Sequence, residues 1–374
     1  MTVFVGGRFV SKEGAEVEGN TVVLGELEVK SNGPSNFVSV GLGTQILPNS
    51  GGDCIIVGGD LKARREIQVF NWNPSWHCDI VYKGSSLNKD NWKTNGAVRY
   101  EPDYDLTFYE QMKHVFLKKS KYWATLPSTG TVTELYSTTT FECMGDSDIQ
   151  VFNVNGDNNN EWKVFTDATS FQYSPSCNGK TILINAHGKS TGTLKLNAVD
   201  HYDPSGGVGH SGIDTCFIKN VMWNFPDAQK VELGNGRSSE WIGSVLVTGN
   251  LLFKTTGLSG RAIVLGDLTQ NKGGSEFHSY SYDPPYPLPD PDDICVIPDD
   301  LNAAVPAYPT MNPTTSPPTV ASTECTAIKQ SDLPQGSWAT NNHECKKCKP
   351  DDNVSWWPCD KNPPLCEGNC VLNI

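Results

Sequence analysis

A chain of 374 residues can hold one large domain plus something small. Only 19% of the residues are charged, and 35 Gly and 24 Pro are present, which favours an all-β, turn-rich protein over a helical one. The net charge of −13 argues against a nucleic-acid binder, which needs clustered Lys and Arg, and against anionic membrane surfaces.

No apolar run approaches the roughly 20 residues needed to span a bilayer. Of the twelve cysteines, six fall in the last fifty residues, which points to an oxidising compartment. A secreted or surface-bound protein is expected, with a leader segment upstream because Met1 runs straight into the first strand phrase.

Residues 2–100 repeat one phrase: a short apolar run, a Gly, then a polar residue and a large apolar one. It reads VFVGGRF at 3–9, VVLGEL at 22–27, IIVGGDL at 55–61 and IVYKGSSL at 80–87. An apolar run of that length reads as a strand and Gly as a tight corner. Strand, corner, strand is the unit of a β-solenoid, whose coils bury their faces only against neighbours. Asn-, Gly- and Pro-rich breaks at 31–34 and 48–52 make the spacing uneven. Cys54 and Cys78 lie in this part.

The period changes over about 103–126. Phe108, Met112, Val115, Tyr122 and Leu126 share a helical stripe, with Phe116 and Trp123 beside it. Asp103 or Asp105 can cap its start and Pro127 stops it. The apolar stripe is expected to cover the side of the solenoid. Lys118, Lys119 and Lys121 are expected on the solvated face near the C-terminal dipole.

Strand patterns resume from 130, with alternation at 131–136 and again at 193–197. Cys143 and Cys177 can staple this half; the connectivity of Cys216 and Cys295 stays open. Asp157, Asn159 and Glu161 supply oxygen ligands suited to Ca²⁺, although Asn, Gly and Asp are also ordinary turn residues. No other cofactor is expected. Asp200, His201, Tyr202 and Asp203, with His210 and Asp214, form the densest His/carboxylate cluster. They suit a transition metal or acid–base chemistry, or simply a flexible Gly-rich surface loop.

From 221 the phrase returns in VMWNFPDA, SVLVTGNLLF and RAIVLGDL, closing on SEFHSY at 275–280. This ordered set resembles the choice-of-anchor A domain, and the resemblance runs back to Val3. It implies an extracellular domain with variable C-terminal attachment devices and offers no catalytic motif to carry over. His278 sits in the closing motif and is expected to be structural.

Residues 283–323 are rich in Pro and Thr and read as a semi-stiff spacer. Residues 324–374 form a separate module, in which Cys325, Cys345, Cys348, Cys359, Cys366 and Cys370 are expected to pair among themselves. Cys345 and Cys348 are spaced as half a zinc site, but no second pair follows at the right distance. Trp338, Trp356 and Trp357 exceed what so small an interior can hold, so an exposed indole is expected to stack on sugar rings. Asn353 lies in an N-glycosylation sequon beside them. The module is similar to small Cys-rich modules of extracellular proteins from eukaryotic microbes. No sorting motif or hydrophobic tail is visible, so this module is expected to take the anchor's place.

The fold expected is all-β: an irregular parallel β-helix over 1–282 with one flanking α-helix, then the spacer and the disulfide-rich module. The function expected is structural or adhesive at the cell surface, with attachment to a matrix or cell-wall polysaccharide. Two alternatives stand beside it. One is a polysaccharide-active enzyme on a β-helix scaffold, although no catalytic motif is recognisable. The other is ice binding, which regular Thr on a flat face supports; Thr138, Thr139, Thr140 and Thr255, Thr256 are runs, not ladders.

Overall fold

The computed structural model describes residues 1–291 except 31–34, 40–51, 70–76, 156–169, 189–191, 197–199, 209–211, 235–239, 256, 272 and 274. Three parallel sheets of ten, eight and seven strands wrap one interior, so the chain is a three-faced β-solenoid. Three short strands make one coil, as in Val3–Val5, Phe9–Ser11 and Ala15–Glu18.

The coils do not stack in chain order. The first coil lies in the middle of the stack, and the following ones climb outward to Val98–Tyr100. The chain then crosses to the opposite end, to Ile149–Asn155 and Thr181–His187, and winds back inward. The last coil, Ala262–Val264, Leu268–Gln270 and Ser275–His278, closes on the first. Across this seam Val5 stands opposite Val264, Phe9 opposite Leu268, and Val17 opposite Phe277.

The repeated glycines form the corner between the first and second faces. Gly84, Gly59, Gly25, Gly7, Gly266 and Gly249 stack, each N–H donating to the next glycine's carbonyl at 2.9–3.1 Å. A Cβ on Gly25 would stand 2.7 Å from the Gly7 carbonyl oxygen, so the coils close up only with glycine there.

The first sheet is buried on both sides, which is why its strands read as unbroken apolar runs. Its inward residues fill the interior. Its outward column runs Ile56, Val22, Phe4, Ile263 and Leu246, and α1, Thr107–Trp123, lies over it. The helix starts later than its sequence pattern suggests, and Asp105 Oδ1 accepts from the Thr107 N–H at 2.9 Å. Its buried face is Tyr109, Met112, Phe116, Lys119, Ser120 and Trp123, rotated from the expected stripe. Phe108, Leu117, Tyr122 and Leu126 flank it, half-buried. Each large side chain so covered contributes about 1.5–3 kcal/mol.

Beyond Leu246 the outward column turns polar: Asn224, Asn185 and Asn153, side by side. Asn153 Nδ2 donates to the Leu126 carbonyl at 2.7 Å and Asn185 Nδ2 to the Trp123 carbonyl at 2.7 Å. Asn224 Nδ2 donates to the Ser120 carbonyl at 2.9 Å. The ladder thereby adds side-chain donors to the carbonyls of the last helical turn, where Ser120 and Trp123 also accept from the Ala124 and Leu126 N–H groups at 3.1 and 3.2 Å.

Residues 283–291, read from sequence as the start of a spacer, fold back over this region. Tyr282 and Leu288 join the helix cluster, Trp123 Nε1 donates to the Pro289 carbonyl at 2.8 Å, and Thr181 Oγ1 donates to the Tyr286 carbonyl at 2.6 Å. Lys119 is therefore not on a solvated face: it is 7% exposed and pairs with Asp290 at 2.7 Å. Disulfides join Cys54 to Cys78 on neighbouring coils and Cys143 to Cys177 at the far end.

Candidate binding faces

With the first face covered by α1, the second and third carry the outward side chains. In register along the second face these are Lys195, Glu232, Leu252, Thr269, Val10, Glu28, Lys62 and Leu87. Along the third they are Glu240, Gly257, Glu276, Glu16, Asn36, Gln68 and Lys93. Neither column is a ladder of threonines. Ion pairs between and within coils hold the second face, including Glu232 with Lys230 and Lys254 at 2.7 and 2.8 Å. Glu26 and Asp60 share Lys62, the latter at 3.0 Å. These contacts hold the Asp60 carboxyl below its usual range, the Lys62 hydrogen bond first.

At the seam, the third face carries a buried charged cluster. His278 Nδ1 lies 3.0 Å from Glu18 Oε1, and Nε2 lies 3.3 Å from Glu276 and 3.7 Å from Glu240. The His278, Glu18 and Glu240 side chains are 5%, 1% and 7% exposed. Gly257 leaves the opening between Glu240 and Glu276 in which the imidazole sits: a Cβ there would lie 3.2 Å from His278 Nε2. Glu18 also accepts from the Ser279 N–H at 2.9 Å, and Ser259 Oγ donates to Glu240. Burial alone would push the imidazole pKa down. The Glu18 hydrogen bond and the charges of Glu240, Glu18 and Glu276 outweigh it and raise the value. Glu276 is raised by burial, with Glu16, Glu240 and Glu18 adding to the shift against His278.

This cluster was missed in the sequence apart from His278. Glu18 and His278 are 260 residues apart, and no local spacing connects them.

The His/carboxylate group at 200–214 behaves differently from its sequence reading. His201 is not on a loop surface: it is 1% exposed, with ring centroids 4.9 Å from Trp241 and 5.2 Å from Phe171. Burial pushes its pKa down to about 3, so it is neutral and enclosed by rings, unsuited to a metal or to proton transfer with solvent. Asp203 Oδ1 accepts from the Ser205 N–H, the Ser205 hydroxyl and the Gly207 N–H, and Oδ2 from the Asp214 N–H, all at 2.7–2.9 Å. It fixes the loop. Asp214 caps α2, Thr215–Asn220, by accepting from the Cys216 N–H at 2.9 Å.

Among the described residues no group of three or more His, Cys, Asp or Glu is arranged to hold a metal ion. The calcium candidates Asp157, Asn159 and Glu161 lie outside the described residues, as do His210, Trp338, Trp356, Trp357, Asn353 and the six cysteines from Cys325 to Cys370. No described helix is long and apolar enough to cross a membrane.

Three solved structures share aspects of this architecture. An ice-binding protein from the Antarctic ascomycete Antarctomyces psychrotrophicus is 9% identical, with 76% of this chain and 95% of that chain covered and a TM-score of 0.37. One from an Antarctic biological consortium is 11% identical (74% and 86% covered, TM-score 0.30). The DUF3494 domain of Shewanella frigidimarina ice-binding protein 1 is 12% identical (74% and 94%, TM-score 0.30). At those scores the likeness carries nothing about function. No curated protein matches. A family profile does match, over residues 2–279, which is the whole solenoid. The chain belongs to the family described as "Putative Ice-binding-like adhesive domain".

Proposed function

We propose that this chain is a secreted or cell-surface adhesin: the solenoid is the adhesive head, and the C-terminal Cys-rich module attaches it to a matrix or cell-wall polysaccharide. The observation that supports this most is the family match over 2–279, joined to a stack in which no other described element packs over two of the outward faces. The choice-of-anchor A resemblance fits the same reading, with the module in the position of the anchor. In the module, Trp357 precedes Pro358 and is biased towards extended backbone. Extended backbone alternates its side chains, so the sequence leads us to expect one indole of Trp356 and Trp357 to be free to meet sugar rings.

Pull-down of the full chain on chitin, cellulose and β-glucan tests this. Binding to one of them with little salt dependence is expected, and Ala in place of the solvent-facing Trp should weaken it by roughly 1.5–3 kcal/mol. If Trp356→Ala and Trp357→Ala both bind like the parent, the attachment role fails.

Ice binding is the second reading, favoured by the family description. The outward columns weigh against a Thr-ladder surface, because charged residues interrupt both. Ice recrystallisation inhibition by the full chain decides it: inhibition at micromolar protein would place ice ahead of polysaccharide.

A further inference from the structure

The corner between the second and third faces carries an unusual row. Lys254, Asn271, Lys12, Lys30 and Arg64 occupy equivalent positions on five successive coils. Their N–H groups donate in turn to the carbonyls of Leu233, Phe253, Gln270, Ser11 and Val29 at 2.8–2.9 Å. The row crosses the seam, so residues from both ends of the chain build it. Lys12, Lys30, Arg64 and the adjacent Arg65 are exposed. Lys30 pairs with Glu28 at 3.1 Å and Lys254 with Glu232. Among the described residues no carboxylate pairs with Lys12 or Arg64.

Adjacent strands lie about 4.8 Å apart, so Lys12, Lys30 and Arg64 are like charges on neighbouring rungs. Like charges directly opposite each other destabilise a sheet. A fold that sets three in file, in a chain of net charge −13, gives up stability that a bound polyanion would restore.

We propose that this row binds a single strand of carboxylated polysaccharide running along the solenoid axis. Cations on three consecutive rungs at a rigid spacing, Lys12, Lys30 and Arg64, suit a polymer with one carboxylate per sugar, taken as an extended chain. Duplex nucleic acid is a poorer fit, since its denser charge would meet the acidic remainder of the surface. The inference rests on the adhesive reading of the solenoid and is independent of the C-terminal module.

The experiment is binding of the full chain to immobilised polygalacturonate, against neutral dextran and duplex DNA of matched charge. Retention at about 20 mM salt and loss at about 300 mM is expected, as screening demands. Lys12→Gln, Lys30→Gln and Arg64→Gln combined should weaken binding roughly tenfold or more, since each removes one charge contact. These side chains are exposed, and a melting temperature no lower than the parent's would confirm an intact fold. Binding to chitin, cellulose or β-glucan through the module should not change, which separates failure here from failure of the attachment role. The proposal is overturned if the triple variant binds polygalacturonate like the parent, if the parent does not bind at low salt, or if duplex DNA binds as tightly.

Discussion

His278 and Glu18 meet at 3.0 Å across 260 residues of chain, and their contact ties the last coil to the first. Neither is accessible, and both belong to the two strands that close the stack. The pair therefore makes the seam sensitive to proton activity.

The sign follows from the raised imidazole value. Its stabilisation is fully present below the ordinary imidazole pKa, about 6.5, and is lost as pH rises through the raised folded-state value. Glu276, also raised, acts in the same direction. The melting temperature should fall as the solution becomes alkaline. Glu18→Gln should flatten that profile while lowering stability at pH 6. Calorimetry from pH 5 to 9 checks this, and an unchanged profile in the variant would assign the pH dependence elsewhere.

The interleaved stack predicts how fragments behave. Residues 2–100 alone would expose the seam edges of Val3–Val5, Phe9–Ser11 and Ala15–Glu18, all paired in the whole chain. That fragment should aggregate. Co-expression with 101–374 should rescue it, because α1 covers Phe4, Val22 and Ile56 from the one half and Leu183, Met222 and Leu246 from the other. A soluble, monomeric 2–100 fragment with cooperative melting would count against the interdependence.

The glycine corner gives a sharper test. In Gly25→Ala the new methyl must stand 2.7 Å from the Gly7 carbonyl oxygen and 3.0 Å from its carbon, both backbone atoms that cannot swing away. A loss of about 1–3 kcal/mol is expected, on the scale of overpacking. Urea denaturation of the variant measures it.

The asparagine ladder predicts a loss of similar size by the opposite means. Asn185→Ala strips the donor from Asn153 Oδ1, the second donor from the Trp123 carbonyl, which keeps the Leu126 N–H, and one acceptor from Asn224 Nδ2, which keeps the Ser120 carbonyl. Losing these buried hydrogen bonds, with the Asn153 Oδ1 acceptor left without its donor, costs about 1–3 kcal/mol. Hydrogen exchange should show fraying concentrated in the last turn of α1. Uniform loosening across the helix would mean that the ladder does not hold this end.

The sequence made the coil legible because each rung needs the same local chemistry: a short apolar run and a glycine where coils close. The helix was legible for the same reason, through its 3.6-residue period. Its rotation was not, since Lys119 and Ser120 are buried by partners from distant segments, Asp290 and Asn224. Coil order was hidden too. Parallel rungs have interchangeable patterns, and nothing near Val5 specifies Val264 rather than a neighbour in sequence. His201 was misread because a polar residue among glycines looks exposed, whereas the aromatic rings enclosing it come from other rungs.

The fold-back of 283–291 also bears on mechanical load. Tension arriving from the C-terminal module would not reach the last coil directly. It would meet the Lys119–Asp290 ion pair, the Trp123–Pro289 bond and the Thr181–Tyr286 bond in that order, the first two on α1 and the third on the first sheet. These contacts would yield one after another before the seam bears force. The strap would then act as a sacrificial shock absorber, giving way while the solenoid stays folded.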